Sequence, residues 1–264
     1  MFKGATHIHS TYSDGEFSLS EIRDIYVASG CSFVCMTDHA EYFDEARLEA
    51  YVKECRSLSD ERFEFIAGLE FTCDRRMHVL GLGVTSLTTA TDPQMVIRHI
   101  SEEGGISVIA HPMDSAFDWI ETFSERPAGI EVWNTKYDGR YAPRPQTFGL
   151  LNRLQARSSD MRAFYGTDLH WRTQYRGLIQ SVDCSELARD QILTAFSRGD
   201  YVAIKGDFKL PSDGRLSDEL LERFASEHTN SDRLRKLAKR VKVLTNSLGL
   251  KLPAPLKAQL RRVF

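Results

Sequence analysis

The sequence predicts an α/β fold, a parallel sheet with helical crossovers whose strand count is close to that of a closed barrel, followed by a helical C-terminal appendage. Three observations predict it. Short apolar runs alternate with segments of helical periodicity over about the first 205 residues, the pattern of parallel strands joined by crossover helices. Most of the runs end in His, Asp or Glu. Past residue 206 the apolar content drops, and a basic stretch with a helical apolar stripe follows.

Met1-Phe2-Lys3-Gly4 runs directly into the first strand without the charged and apolar regions of a signal peptide. No apolar run is long enough to span a bilayer, so a cytoplasmic location is expected. The strand ends in Thr6-His7-Ile8-His9-Ser10, with Asp14 and Gly15 close behind. Extended geometry points residues two apart to one side, so His7 and His9 can grip one cation. Phe17 to Ser29 carries Leu19, Ile22, Ile25 and Tyr26 at helical spacing, with Ser18 or Ser20 as N-cap and Gly30 as a stop. Cys31 to Met36 reads as a buried strand ending in Thr37-Asp38-His39, and a helix is expected over about 44–58.

The next strand, Phe63 to Ala67, delivers Gly68-Leu69-Glu70; another, Met77 to Val84, carries His78 near its start. Asp92-Pro93 opens a helix that runs to about Glu103, with the Asp as cap and the Pro in the first turn. Ile106 to Ala110 leads to His111-Pro112, and Gly129 to Trp133 reaches Glu131 and Asn134. A loop from Lys136 to Pro145 precedes a helix over about 146–158. Met161 to Tyr165 then ends in Gly166-Thr167-Asp168-Leu169-His170. Leu178 to Val182, a helix over about 185–198 and a strand from Tyr201 to Ile204 complete this part.

In barrels of this kind the loops at the C-terminal strand ends converge on one mouth, where active sites lie. Six of the 8 histidines (7, 9, 39, 78, 111 and 170) fall at these places, His78 being the one near the start of its strand. His99 lies inside a helix and His228 in a polar stretch. The 5 cysteines are odd in number and mostly within apolar segments, which reads as buried thiols in a reducing compartment. Cys31 and Cys35 have the wrong spacing for a redox pair. A net charge of -3 implies no bulk affinity for nucleic acid or membrane.

Gly206 to Gly214 reads as a linker, which divides the chain into a barrel at 1–206 and an appendage at 207–264. From Ser231 to Phe264 ten Lys or Arg face one acid, Asp232. Leu234, Leu237, Val241, Leu244 and Leu248 form a stripe at helical spacing, which leaves the basic face opposite. That face is either solvated on a docked helix or a contact with an anionic membrane surface, a nucleic acid or an acidic partner. The sequence says little about oligomeric state.

The motifs together resemble the PHP family, the polymerase and histidinol phosphatase group of metal-dependent phosphoesterases. The resemblance covers roughly residues 3–205 and rests on five motifs in order. These are His7-Ile8-His9-Ser10 with Ser13-Asp14-Gly15; Thr37-Asp38-His39; Glu70 followed by His78 in His-Val-Leu-Gly-Leu-Gly; His111-Pro112; and Gly166-Thr167-Asp168-Leu169-His170. It implies a distorted (β/α)7 barrel with two to three divalent ions at its mouth. His7, His9, Glu70 and Asp168 would hold one ion; Glu70 would bridge to a second held by His78 and His111; Asp14, His39 and His170 would hold a third. Nitrogen and oxygen ligands without thiolate suit zinc, manganese or iron. Thr37 and Asp38 are expected to support the ligands or the turn.

The implied activity is hydrolysis of a small phosphomonoester, a nucleotide, sugar or amino-alcohol phosphate, by a metal-bridging hydroxide. His7, His9, Glu70, Asp168 and His170 would be the catalytic set. Arg144, Arg172 and Arg176 are the expected phosphate donors, since Arg suits bidentate contact, with Lys136 a weaker candidate. Trp171 and Tyr12 could stack on a base or ring. Three alternatives stand beside this: a phosphodiesterase or oligonucleotide exonuclease, a phosphotyrosine phosphatase with the tail as docking element, and a non-catalytic metal-binding module.

Overall fold

The computed structural model describes residues 1–139, 141–175, 177–230 and 233. Its strands are β1 (Phe2–Ile8), β2 (Phe33–Met36), β3 (Asp38–His39), β4 (Glu64–Ile66), β5 (Leu69–Thr72), β6 (His78–Leu82), β7 (Ile106–Ala110), β8 (Gly129–Asn134), β9 (Arg162–Gly166), β10 (Ile179–Val182), β11 (Tyr201–Lys205) and β12 (Phe208–Pro211). The helices are α1 (Leu19–Ala28), α2 (Glu45–Leu58), α3 (Pro93–Glu102), α4 (Phe117–Glu121), α5 (Pro145–Gln155) and α6 (Arg189–Arg198). Local chemistry sets several of these boundaries. Ser18 caps α1 through a capping box with Glu21, Asp92 accepts from the Gln94 N–H ahead of α3, and Gly199, at φ 82°, ends α6.

The ladders form two six-stranded sheets, in the orders β12-β11-β10-β1-β2-β4 and β3-β5-β6-β7-β8-β9. One chain crosses between them where β2 runs on into β3, and again where β4 runs on into β5. On the far side the Thr167 N–H donates to Thr6 O (3.1 Å), Leu169 N–H to His7 O (3.2 Å) and His9 N–H to Leu169 O (3.0 Å). The strand positions β1, β2/β3, β4/β5, β6, β7, β8 and β9 therefore follow one another around a distorted ring that is drawn together at the rim. Away from the rim β10 takes the place beside β1, pairing antiparallel with Phe2–Gly4.

Two features depart from the sequence expectation. The first is that the sheets are not all parallel: β10, β11 and β12 join the first sheet antiparallel, and β6 runs antiparallel to both β5 and β7. This resolves the exception of His78: the start of a reversed strand lies where its neighbours end, and His78 pairs with Ala110, the residue before His111. The second is that Gly206–Gly214 is no linker. It contains β12, which pairs with β11 and extends the sheet, and Phe224 is fully buried with its ring 6.1 Å from Trp133 and 5.2 Å from Phe208. Packing thus continues across the expected boundary at residue 206, through helical residues 218–230. The basic stretch 231–264, apart from Arg233, lies outside the described residues, and with it the contacts expected of the tail.

The core is continuous and mostly aliphatic and aromatic, with α1 burying Leu19, Ile22 and Tyr26 against it. Each fully buried side chain of this size contributes about 1.5–3 kcal/mol. Cys31, Cys35, Cys55 and Cys73 are buried in this core and unpaired; burial pushes the Cys31 thiol up to about 11 and Cys73 to about 12, so both are protonated packing groups. Among the described residues no helix is long and apolar enough to cross a membrane.

Candidate metal centre

The strand ends and the rim loops bring His7, His9, Asp14, His39, Glu70, His78, His111, Asp168 and His170 into one cluster. Four overlapping groups have ligand atoms within 4.8 Å of one another: His9, Asp14, His39 and His170; His7, His9 and Asp168; His7, Glu70 and His111; and His39, Glu70 and His78. The grouping overlaps more than the resemblance implies, since His9 also sits with the Asp14 group and His39 with Glu70.

His7 and His9 meet for a different reason than regular strand alternation. The β1–β2 register passes from Thr6↔Cys35 to Ile8↔Met36, so His7 is the extra residue of a bulge, with φ 61°. His111 (φ 29°) and Asp168 (φ 50°) also have left-handed backbones. For residues with a Cβ this costs on the order of 1–2 kcal/mol each, and strain of this kind gathers where a site dictates side-chain direction. The result is convergence on Glu70. Its Oε2 lies 3.4 Å from His7 Nε2, 3.2 Å from His9 Nε2 and 3.4 Å from His39 Nδ1. Its Oε1 lies 2.8 Å from His78 Nδ1 and 3.3 Å from His111 Nε2. The two oxygens of one carboxylate therefore serve two sides of the cluster.

Asp168 Oδ1 is 3.8 Å from both His7 Nε2 and His9 Nε2 and 3.1 Å from His170 Nδ1. Asp14, the most exposed member, has Oδ1 at 3.2 Å from His170 Nε2 and 3.7 Å from His39 Nε2. Electrostatics prepare His9, Glu70 and Asp168 for cations. Burial pushes His9 down to about 3, which keeps the imidazole neutral with a lone pair free. Burial opposes ionisation of Glu70, but the charge of His7 and hydrogen bonds with His111, His7 and His78 outweigh it and hold the carboxyl well below its usual range. Asp168 is likewise held low against burial, by His7, His170, His111 and Lys136. Burial also works against protonation of His7, yet the charges of Glu131, Asp168 and Glu70 raise it well above the ordinary imidazole value.

The residues present fit divalent cations. His7 Nε2, both ring nitrogens of His9 and His39 Nδ1 are buried and make no well-formed hydrogen bond, although Glu70 Oε2 approaches three of them at 3.2–3.4 Å. Such atoms are costly unless something absent from the chain completes them, and the donor set of imidazoles and carboxylates suits a borderline to hard ion.

Glu131 is the functional residue that sequence reasoning reached without assigning. Its Oε1 takes His7 Nδ1 at 2.7 Å, and its Oε2 accepts from the His111 backbone N–H and from Asn134 Nδ2, both at 2.9 Å. It thereby sets the His7 tautomer and leaves Nε2 facing the cluster. A carboxylate inside the otherwise apolar run Gly-Ile-Glu-Val-Trp was its signal. Glu131→Gln keeps the size but sets an NH2 against donors, and it is expected to weaken metal affinity about 10- to 100-fold. Titration against a chelating dye measures this; unchanged affinity would reduce Glu131 to a packing role.

Asp38 accepts from the Ser10 N–H (2.7 Å), Ser10 Oγ (2.9 Å) and Ser13 Oγ (2.6 Å), which braces the loop that carries Asp14. The expected phosphate donors fare differently. Arg144 is spent on Asp138 (2.5 Å), Asp114 (2.8 Å) and Pro112 O (2.7 Å), tying the loop after His111 to the loop after β8. The Arg172 guanidinium lies over the Phe17 ring at 4.9 Å. Arg176 lies outside the described residues. Tyr12 packs on Phe43 and Tyr51 and donates to Glu54, whereas Trp171 is 48% exposed at the rim.

Comparison with known proteins gives the same family as the motifs. A family model described as the PHP domain matches residues 5–228, further toward the C-terminus than the five motifs reach. The DNA polymerase/3'-5' exonuclease PolX of Bacillus subtilis is 36% identical over 78 residues, 26% of this chain and only 14% of that protein. Among solved structures, a two-domain protein of Bacteroides vulgatus containing a predicted PHP-like metal-dependent phosphoesterase superposes with a TM-score of 0.57 at 16% identity, over 85% of this chain and 69% of that one. PsfC of Pseudomonas syringae gives 0.54 at 13% identity, over 87% of this chain and 98% of the other. At these identities the structures speak to the fold alone.

Proposed function

The chain belongs to the PHP domain family, and on that premise we propose that it is a hydrolase of phosphate esters that works with two or three divalent ions, zinc, manganese or iron. One observation carries the reading: buried imidazole nitrogens that no hydrogen bond satisfies converge with Glu70 and Asp168 at the rim of the ring. His7, His9, Glu70 and Asp168 would hold one ion, Glu70 with His78 and His111 a second, and Asp14, His39 and His170 a third. Such ions, when bound, supply the Lewis acidity that brings the pKa of water toward neutrality and the charge that neutralises phosphate oxygens.

The chain supplies the rest. Glu131 and Asp38 hold ligands in place through the contacts above, so little reorganisation is needed when a substrate arrives. No Ser or Cys nucleophile is required in this reading, because water activated by such ions would attack phosphorus directly. Exposed Tyr137 and Trp171 border the cluster, with the Tyr137 ring 4.3 Å from that of His111, and would contact the group esterified to the phosphate. The substrate we favour is a small phosphomonoester. A 3'-5' exonuclease is the second reading, favoured by the partial identity with PolX.

The test is metal content together with phosphate release after chelation and reloading with manganese, zinc or iron. The panel holds nucleotide, sugar and amino-alcohol phosphates and end-labelled oligonucleotides. Two to three ions per chain with turnover on one class, abolished by chelation and restored by metal, is the expected result. Full metal occupancy without turnover on any of these compounds would overturn the proposal and leave a binding module.

A further inference from the structure

We infer that Lys136, rather than Arg144 or Arg172, is the residue that grips the substrate's phosphate beside the metal cluster. The inference rests on the phosphoesterase reading of this site. Lys136 Nζ lies 3.0 Å from Asp168 Oδ1 and 3.3 and 3.4 Å from the two ring nitrogens of His170. Among the described residues it is the one Lys or Arg ion-paired to a carboxylate of the cluster; the cationic groups of Arg144 and Arg172 are engaged elsewhere.

Its position is built rather than incidental. Asn134 Oδ1 accepts from the backbone N–H groups of Lys136 (3.0 Å) and Tyr137 (3.1 Å), while Asp138 Oδ2 accepts from the Asn134 N–H at 2.8 Å. Asn134 Nδ2 donates onward to Glu131 (2.9 Å) and Asp168 (3.1 Å). The turn that projects Lys136 is thus pinned to the same carboxylates that organise the cluster. The ammonium lies 5.4 Å from the Tyr137 ring and 5.9 Å from the Trp171 ring, and both aromatics are about half exposed. A cation between two walls that open to solvent, above a cation-binding floor, is complementary to a phosphate dianion entering from the mouth.

The charge logic agrees. Without ions the ammonium answers the charge of Asp168. When ions occupy the cluster they take over that role, and the nearby ammonium is left to pair with an arriving anion. The side chain is 23% exposed, so it can turn toward a phosphate oxygen without crossing packed core. In this role Lys136 touches the substrate and offsets charge that develops on the phosphate oxygens.

The experiment compares the metal-loaded wild type with Lys136→Met, Lys136→Gln and Lys136→Arg. It reads metal content, the affinity for inorganic phosphate by calorimetry, and KM and kcat on the best compound of the panel. Metal content should stay the same in all four. Phosphate affinity and kcat/KM should fall about 10- to 100-fold in the Met and Gln variants, with partial rescue in the Arg variant. Unchanged phosphate affinity in both neutral variants, or loss that tracks loss of metal, would overturn the inference, the latter because Lys136 would then only position Asp168. Absence of phosphate binding to the loaded wild type would overturn it as well. Because calorimetry needs no turnover, Lys136-dependent phosphate binding without hydrolysis would sustain this inference while defeating the phosphoesterase reading.

Discussion

Asp168→Asn is expected to lower turnover of the metal-reloaded protein by about a thousandfold or more, the loss of a charged ligand amounting to several kcal/mol of stabilisation. Asn is the informative substitution. Asp168 has φ 50°, a left-handed backbone that Asn adopts more readily than Ala, so the variant removes charge with little added backbone strain. The same carboxylate meets His7, His9, His170 and Lys136, so its neutralisation weakens cation binding from several sides at once. Phosphate release, metal content and the far-UV circular dichroism spectrum are the measurements. A variant with near-normal turnover and normal metal content would defeat the assignment of Asp168, and with it the reading of the whole cluster.

Gly166→Ala is expected to be the most damaging single methyl group in the site. A Cβ there would stand 1.7 Å from Glu131 Oε1, 2.7 Å from the Glu131 carboxyl carbon and 3.1 Å from His7 Cβ. This glycine is needed for close approach, because the Glu131 carboxylate lies against its backbone. The added methyl must displace Glu131, releasing His7 Nδ1, the His111 N–H and Asn134 Nδ2 together. Overpacking of this kind costs about 1–3 kcal/mol, and metal affinity should fall at least as far as in Glu131→Gln. A double-mutant cycle isolates the cause: in a Glu131→Ala background the space is already cleared, so Gly166→Ala should cost much less. Equal melting-temperature losses in the two backgrounds would show that the clash with Glu131 is not the mechanism.

The α/β alternation, an N-cap at Ser18 or Ser20 and the cap at Asp92 were legible in the chain itself, and the resemblance to the PHP family pointed to the nine His, Asp and Glu residues that meet at the rim. All of these are local facts. A cap is set by the few residues beside it, an apolar run declares its own burial, and the resemblance rests on short motifs read in order along the chain. Tertiary structure alone decided which way β6 runs, and so why His78 at the start of its strand stands beside His111. It also decided the bulge that turns His7 inward, the approach of Glu131 to His7 from 124 residues away, and the contrast between Arg144 and Lys136. Arg144 finds Asp114 30 residues back, while Lys136 reaches Asp168 32 residues ahead. The physical reason is common to all of these. Strand direction and register depend on partners distant in the chain, and a side chain's charge has no fixed task until folding brings up the group that will satisfy it.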